Sequence, residues 1–128
     1  MIRSAAILAG MAIAAAAGCA SKGALPASAP FVHVVFFKTA SGTPDAAAEL
    51  VRDIETMLAD LPTVKGIWMG KPAPTNTRPI VDANYDVGLL LLFADQKGLQ
   101  EYLDHPTHAK FATKHDTRCT VRVFDFTR

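Results

Sequence analysis

The chain has 128 residues, with 13 Lys and Arg against 12 Asp and Glu and a formal net charge of +1. That length suits one domain, and the balanced charge leaves no basic stripe to neutralise nucleic-acid phosphates, so no nucleic-acid partner is expected. Cys19 and Cys119 are the only cysteines, which excludes a disulfide framework of the kind that staples small secreted domains.

The first eighteen positions hold much of the hydrophobic excess. Met1-Ile2-Arg3 is a short, positively charged start, and Ser4 to Ala17 then runs almost without polarity. The run is shorter than the ~20 residues a membrane-spanning helix needs, so residues 1–18 read as a secretory signal peptide. Ala16-Ala17-Gly18-Cys19 resembles the bacterial lipobox, although Ala16 stands where the pattern prefers Leu. The reading implies lipidation of Cys19, an exported protein facing the periplasm or cell exterior, and membrane attachment through that anchor only. An ordinary signal peptide cut nearby is the alternative. Loss of Arg3 with the signal brings the basic side chains from 13 to 12, equal to the 12 acidic ones. Residues 19–30 continue as a small, Pro-containing tether (ASKGALPASAP from Ala20) that can bury nothing.

The domain starts at Phe31. Phe31 to Phe37 (FVHVVFF) is a strand by its β-rich composition and short length. Thr43 is placed as an N-cap and Pro44 at the first helical position. Ala47, Leu50, Val51, Ile54, Met57, Leu58 and Leu61 then recur at helical spacing, which predicts an amphipathic helix closed by Pro62. Lys65 to Lys71 is a second strand, Pro72 to Asn84 a long Pro-containing loop, and Tyr85 to Phe93 a third strand. Asp95 to Leu103 is helical, Pro106 to Lys114 supplies a further helical turn or two, and Arg118 to Phe126 alternates as a final strand. The order β-α-β-β-α-β defines an α+β, ferredoxin-like split βαβ fold.

Two helices cover one face of a four-stranded sheet. The strands at Phe31–Phe37 and Val87–Phe93 nevertheless place apolar residues on both faces, whereas a half-solvated sheet alternates apolar with polar. A second copy packed sheet to sheet is the economical cover, so a homodimer is expected.

Several segments taken together resemble the stress-responsive dimeric α/β-barrel (Dabb) family over Val32 to Phe126. They are His33-Val34-Val35-Phe36-Phe37-Lys38, Gly70-Lys71, Tyr85-Asp86-Val87 with Leu92-Phe93 and Asp95, Tyr102-Leu103-Asp104-His105-Pro106-Thr107-His108, and Val123-Phe124-Asp125-Phe126. The resemblance implies a Dabb domain over 31–128 and a dimeric α/β barrel built from two ferredoxin-like subunits. Many members have no assigned reaction. One plant branch shares the YxxHPxH segment and cyclises polyketide chains with a Tyr–His acid/base pair and a first-strand His nearby. Carried over, these are Tyr102, His108 and His33.

His108 can accept a proton near neutral pH, and Tyr102 can hydrogen-bond a developing oxyanion. The bland reading of the same segment is a structural turn in which Pro106 starts a helix and both imidazoles bond backbone carbonyls. His33 shares a strand face with Phe31, Val35 and Phe37, and meets His108 if that face points towards the helices. His105 and Trp68 are further candidates for lining a ligand pocket. His105, His108 and His115 have poor metal-ligand spacing and no neighbouring Cys, so no metal is expected. Gly66 and Gly70 are too isolated to cradle phosphate, and no cofactor fingerprint occurs. Three readings follow: a module binding a small apolar molecule, a cofactor-free acid/base enzyme using His108 and Tyr102, and a purely structural or partner-binding stress protein.

Overall fold

A computed structural model of the chain describes residues 31–40, 45–74 and 78–127. The signal, tether and Cys19 expectations, and the Thr43–Pro44 cap, fall outside the described residues. Among those residues no helix is long and apolar enough to cross a membrane.

The element order is β1 (Phe31–Thr39), α1 (Ala46–Asp53), β2 (Gly66–Gly70), β3 (Val87–Phe93), α2 (Gln96–Leu103), α3 (Pro106–His115) and β4 (Cys119–Thr127). The strands form one sheet in the order β2-β3-β1-β4, and β1–β3, β1–β4 and β2–β3 all pair antiparallel. β3 therefore lies between β1 and β2, the split βαβ arrangement expected from the sequence. The main departure is the last helical segment. The one or two turns expected there form a ten-residue helix, α3, with Pro106 in its first turn.

The helix after β1 continues through a π-helical turn over Ile54–Leu58, where the Ala59 amide donates to the Ile54 carbonyl. Its buried row is Leu50, Ile54 and Leu58, spaced by four. At 3.6 residues per turn a spacing of four drifts sideways along an α-helix. One wider turn brings the row back over the sheet.

Directly paired residues share a sheet face, so the register sorts the side chains. Phe31, His33, Val35 and Phe37 of β1 lie with Val87, Leu89, Leu91 and Phe93 of β3 under the helices. These residues, with Leu50, Ile54, Leu58, Leu99, Tyr102 and Phe111 from above, make the buried core. The other face carries Val34, Phe36, Leu90, Trp68, Phe124 and Phe126. Among the described residues of a single copy no helix covers this face, and Phe124 and Phe126 are 53% and 55% exposed.

Candidate functional site

α3 does not lie flat on the sheet. It leaves a trough of about 260 Å³ above β1 and β4. Val35, Phe37 and Leu89 form its floor, Val123 and Val121 its side on β4, and Leu103 and Ala112 its helical wall. Polar groups sit among these residues: His33, Tyr102 and His108 together, and His115 with Asp116 farther along.

His33 is 6% exposed and points towards the helices. Its Nδ1–H donates to Asp125 Oδ1 at 2.5 Å, because β4 pairs residue for residue with β1 and sets Asp125 beside His33. This bond fixes the ring and turns Nε2, the other ring nitrogen, away from Asp125.

Tyr102 comes from α2, whose start is capped by the Asp95 side chain accepting from the Gly98 amide. The Tyr102 ring is buried between Phe93 and His108. Burial pushes its hydroxyl well above the ordinary phenol value, so it stays a neutral donor.

His108 lies in the first turn of α3. Its Nδ1–H donates to the Leu103 carbonyl at 3.1 Å, one of the carbonyls at the end of α2 that the helix leaves unpaired. Desolvation lowers its pKa below the ordinary histidine value. The bond to Leu103 opposes that shift, and His33 reinforces it. His108 is therefore neutral at pH 7, with Nε2 as the acceptor. The ring centroids of Tyr102 and His108 are 4.6 Å apart, and those of His33 and Tyr102 are 6.3 Å apart.

Among the described residues only Thr63 Oγ1 is both sealed from solvent and without a hydrogen bond. The Nε2 atoms of His33 and His108 and the Tyr102 hydroxyl make no hydrogen bond to these residues, so all three open on the trough they line. Two imidazoles, one of them the neutral His108, and one neutral phenol donor thus meet in a largely apolar cavity. Such a group can take a proton from a bound molecule and hydrogen-bond the oxygen that gains charge.

The structure brings together His33, Tyr102 and His108 of the sequence candidates. It does not bring in the other two. His105 is the N-cap of α3, where its Nδ1 accepts from the Thr107 amide at 3.1 Å. Trp68 lies on the opposite sheet face with Val34, Phe36 and Leu90. The bland reading of the His-Pro segment holds in part: Pro106 opens α3 and His105 accepts from a backbone amide rather than bonding a carbonyl, whereas His108 does bond a carbonyl. His108 does so through one nitrogen only. Among the described residues no three His, Cys, Asp or Glu side chains are placed to share a metal ion.

Two residues of the site were not singled out from sequence. Asp125 had a signal: it alternates with Val121 and Val123, an acidic residue on an otherwise apolar strand face. His115 appeared there only in the metal argument, yet it is 4% exposed and lines the trough. Its Nε2–H donates to Asp53 Oδ2 at 2.8 Å. Asp53 also receives Lys114 Nζ at 2.6 Å, and burial works against its charge while Lys114 and His115 outweigh it, so its pKa is lowered.

A ferredoxin-like subunit with a histidine-lined trough between sheet and C-terminal helix defines the class of protein. The profile of the Stress responsive A/B Barrel Domain, Dabb, matches residues 31–128, and the chain belongs to that family. Similar solved structures include a dimeric ferredoxin-like protein of Thermobifida fusca (TM-score 0.62, 19% identity, covering 77% of this chain and 90% of that one). A Dabb family protein of Mesorhizobium loti is similar at TM-score 0.61 and 21% identity, with coverage of 77% and 95%. The hydroxynitrile lyase of Passiflora edulis is similar at TM-score 0.64 and 15% identity, with coverage of 79% and 94%. Among curated proteins none matches the chain.

Proposed function

We propose that this domain works as a homodimer in which each trough binds a small, neutral, mostly apolar molecule bearing a carbonyl or hydroxyl group. On that molecule His108 moves a proton without a cofactor. One observation carries this reading: two imidazoles have committed Nδ1 to the protein and turn Nε2 to the same apolar cavity, beside a neutral phenol. A purely structural role would not need either nitrogen left open. The trough is somewhat smaller than the roughly 300–1,000 Å³ of pockets for drug-sized ligands, and no Lys or Arg lines it. Both facts favour a small uncharged occupant. In the reaction His108 Nε2 takes a proton from an activated carbon or hydroxyl and returns it to the product, and Tyr102 donates to the developing oxyanion. His33, held by Asp125, is the second imidazole beside the reacting group.

The dimer reading rests on the uncovered apolar sheet face and on the dimeric state named for the Thermobifida fusca protein. The Passiflora edulis lyase shows that this fold can carry an enzyme. The N-terminal sequence adds export and anchoring through Cys19, testable as acyl incorporation that Cys19→Ser abolishes.

Native mass spectrometry of the full chain tests the central claim. A dimer with a reproducible bound mass is expected, and His108→Ala should stop any conversion of that ligand while keeping the melting temperature within a few degrees. A dimer that binds no small carbonyl or hydroxyl compound at millimolar concentration would refute the reading.

A further inference from the structure

The trough has a second polar end that the proton-transfer group does not use. His108 and His115 are seven residues apart on α3, so they share one helix face and stand about 10 Å apart along it at ~1.5 Å per residue. Phe111 and Ala112 lie on the helix between them, with Phe37 packed against Phe111 from β1. The far end is built as carefully as the near one. Asp53 on α1 accepts from His115 Nε2–H and is itself braced by Lys114, which fixes the ring across the gap between helices. Lys114 also reaches Glu49 at 3.0 Å, and Arg118 grips the same carboxylate through two nitrogens. His115 Nδ1 makes no hydrogen bond to the described residues and is not sealed from solvent.

The charge at this end restricts what could bind. The nearby cations, Lys114 and Arg118, are already paired with Glu49 and Asp53. The carboxylate of Asp116 lies at the rim. A ligand carboxylate or phosphate would meet negative charge there, and among the described residues the two nearby cations are already paired. A hydroxyl fits instead, because it can both donate and accept and so can pair with the open Nδ1.

We infer that His115 forms a second subsite of the trough, which receives a hydroxyl group at the far end of an elongated neutral ligand. The ligand class is therefore difunctional: a reacting carbonyl or hydroxyl at His33, Tyr102 and His108, an apolar middle, and a hydroxyl about 10 Å away. This inference rests on the trough being a ligand site, as proposed above.

The test compares 1,8-octanediol with 1-octanol, two probes that share an apolar chain and differ by the second hydroxyl. Binding to the full chain is followed by side-chain NMR of the histidines and by titration. In the wild type the diol should shift the resonances of both His108 and His115. 1-Octanol should shift those at the His108 end alone. The affinity ratio of diol to octanol should fall about fivefold or more in His115→Leu, since a buried hydroxyl would lose its partner, and should recover in His115→Gln, whose amide can serve both Asp53 and a hydroxyl. A smaller fall, or a diol that leaves His115 unmoved in the wild type, overturns the second subsite. Failure of 1-octanol to perturb His33, Tyr102 or His108 would overturn the ligand-site reading itself. The wild-type comparison stands even if His115→Leu does not fold.

Discussion

Replacing Asp125 by Asn tests the site at its least obvious point. The carboxylate holds His33 Nδ1–H at 2.5 Å, and the imidazole is nearly sealed whereas the carboxylate is 41% exposed. An asparagine has the same shape but no charge, and its amide can turn either oxygen or nitrogen to the ring. A hydrogen bond to a charged group contributes about 1.5–3 kcal/mol and a neutral one about 0.5–1.5. The half-wet carboxylate places the difference towards the low end, at about 1 kcal/mol. For a domain of this size that is a fall of roughly 4–8 °C in melting temperature, measured at fixed protein concentration because a dimer's midpoint depends on it. The functional signature is in the tautomer. Long-range ¹H–¹⁵N correlation should show His33 as the Nδ1–H form in the wild type and as a mixture in Asp125→Asn, with ligand turnover reduced accordingly. An unchanged tautomer together with an unchanged midpoint would refute the assignment of Asp125 as the residue that positions His33.

Three further outcomes are expected. Arg118, then Lys114, hold the Glu49 carboxyl at about 2 against an ordinary 4.5; because the folded value is the lower one, this contribution is complete above about pH 4.5 and is lost as the pH falls towards 2. Melting temperature against pH should therefore slope less steeply in Glu49→Gln over that window, and an identical slope would contradict the pairing. Gly66→Ala should cost about 1–3 kcal/mol in chemical denaturation, since its Cβ would stand 2.8 Å from Trp68 Cζ3 and 3.2 Å from Leu92 Cδ1, whereas Gly70→Ala meets nothing within 4 Å and should be silent. Phe124→Asp with Phe126→Asp should convert the protein to a monomer in sedimentation velocity, and a persistent dimer would show that another surface makes the contact.

Much of this architecture was legible because hydrophobic periodicity is local. The seven apolar positions from Ala47 to Leu61 mark the first helix, and the alternation Phe31, His33, Val35, Phe37 marks the strand face that the helices cover. Tyr102, His108 and His33 came from the family resemblance, and strand alternation added that His33 shares the face of Phe31, Val35 and Phe37. What was not legible depends on register and on distant pairing. Trp68 is flanked by Ile67 and Met69, so β2 is apolar on both faces and alternation carries no information about which side Trp68 takes. The partners of His33 and His115 lie 92 and 62 residues away in sequence, and only the sheet register and the packing of α3 on α1 bring them close. The π turn was hidden too, since Leu50, Ile54 and Leu58 fit a plain helical stripe nearly as well.

The pairing of β1 with β4 also orders events during synthesis. Phe31 opens the central strand and its Cα partner is Thr127, at the far end of the domain. Until β4 emerges from the ribosome, β1 has one unpaired edge, His33 lacks Asp125, and the trough lacks the side made by Val121 and Val123. A chain stopped short of Asp125 would leave His33 Nδ1 without that carboxylate. The last strand therefore acts as a length check, since only a chain that reaches it orients His33 and closes the side of the trough.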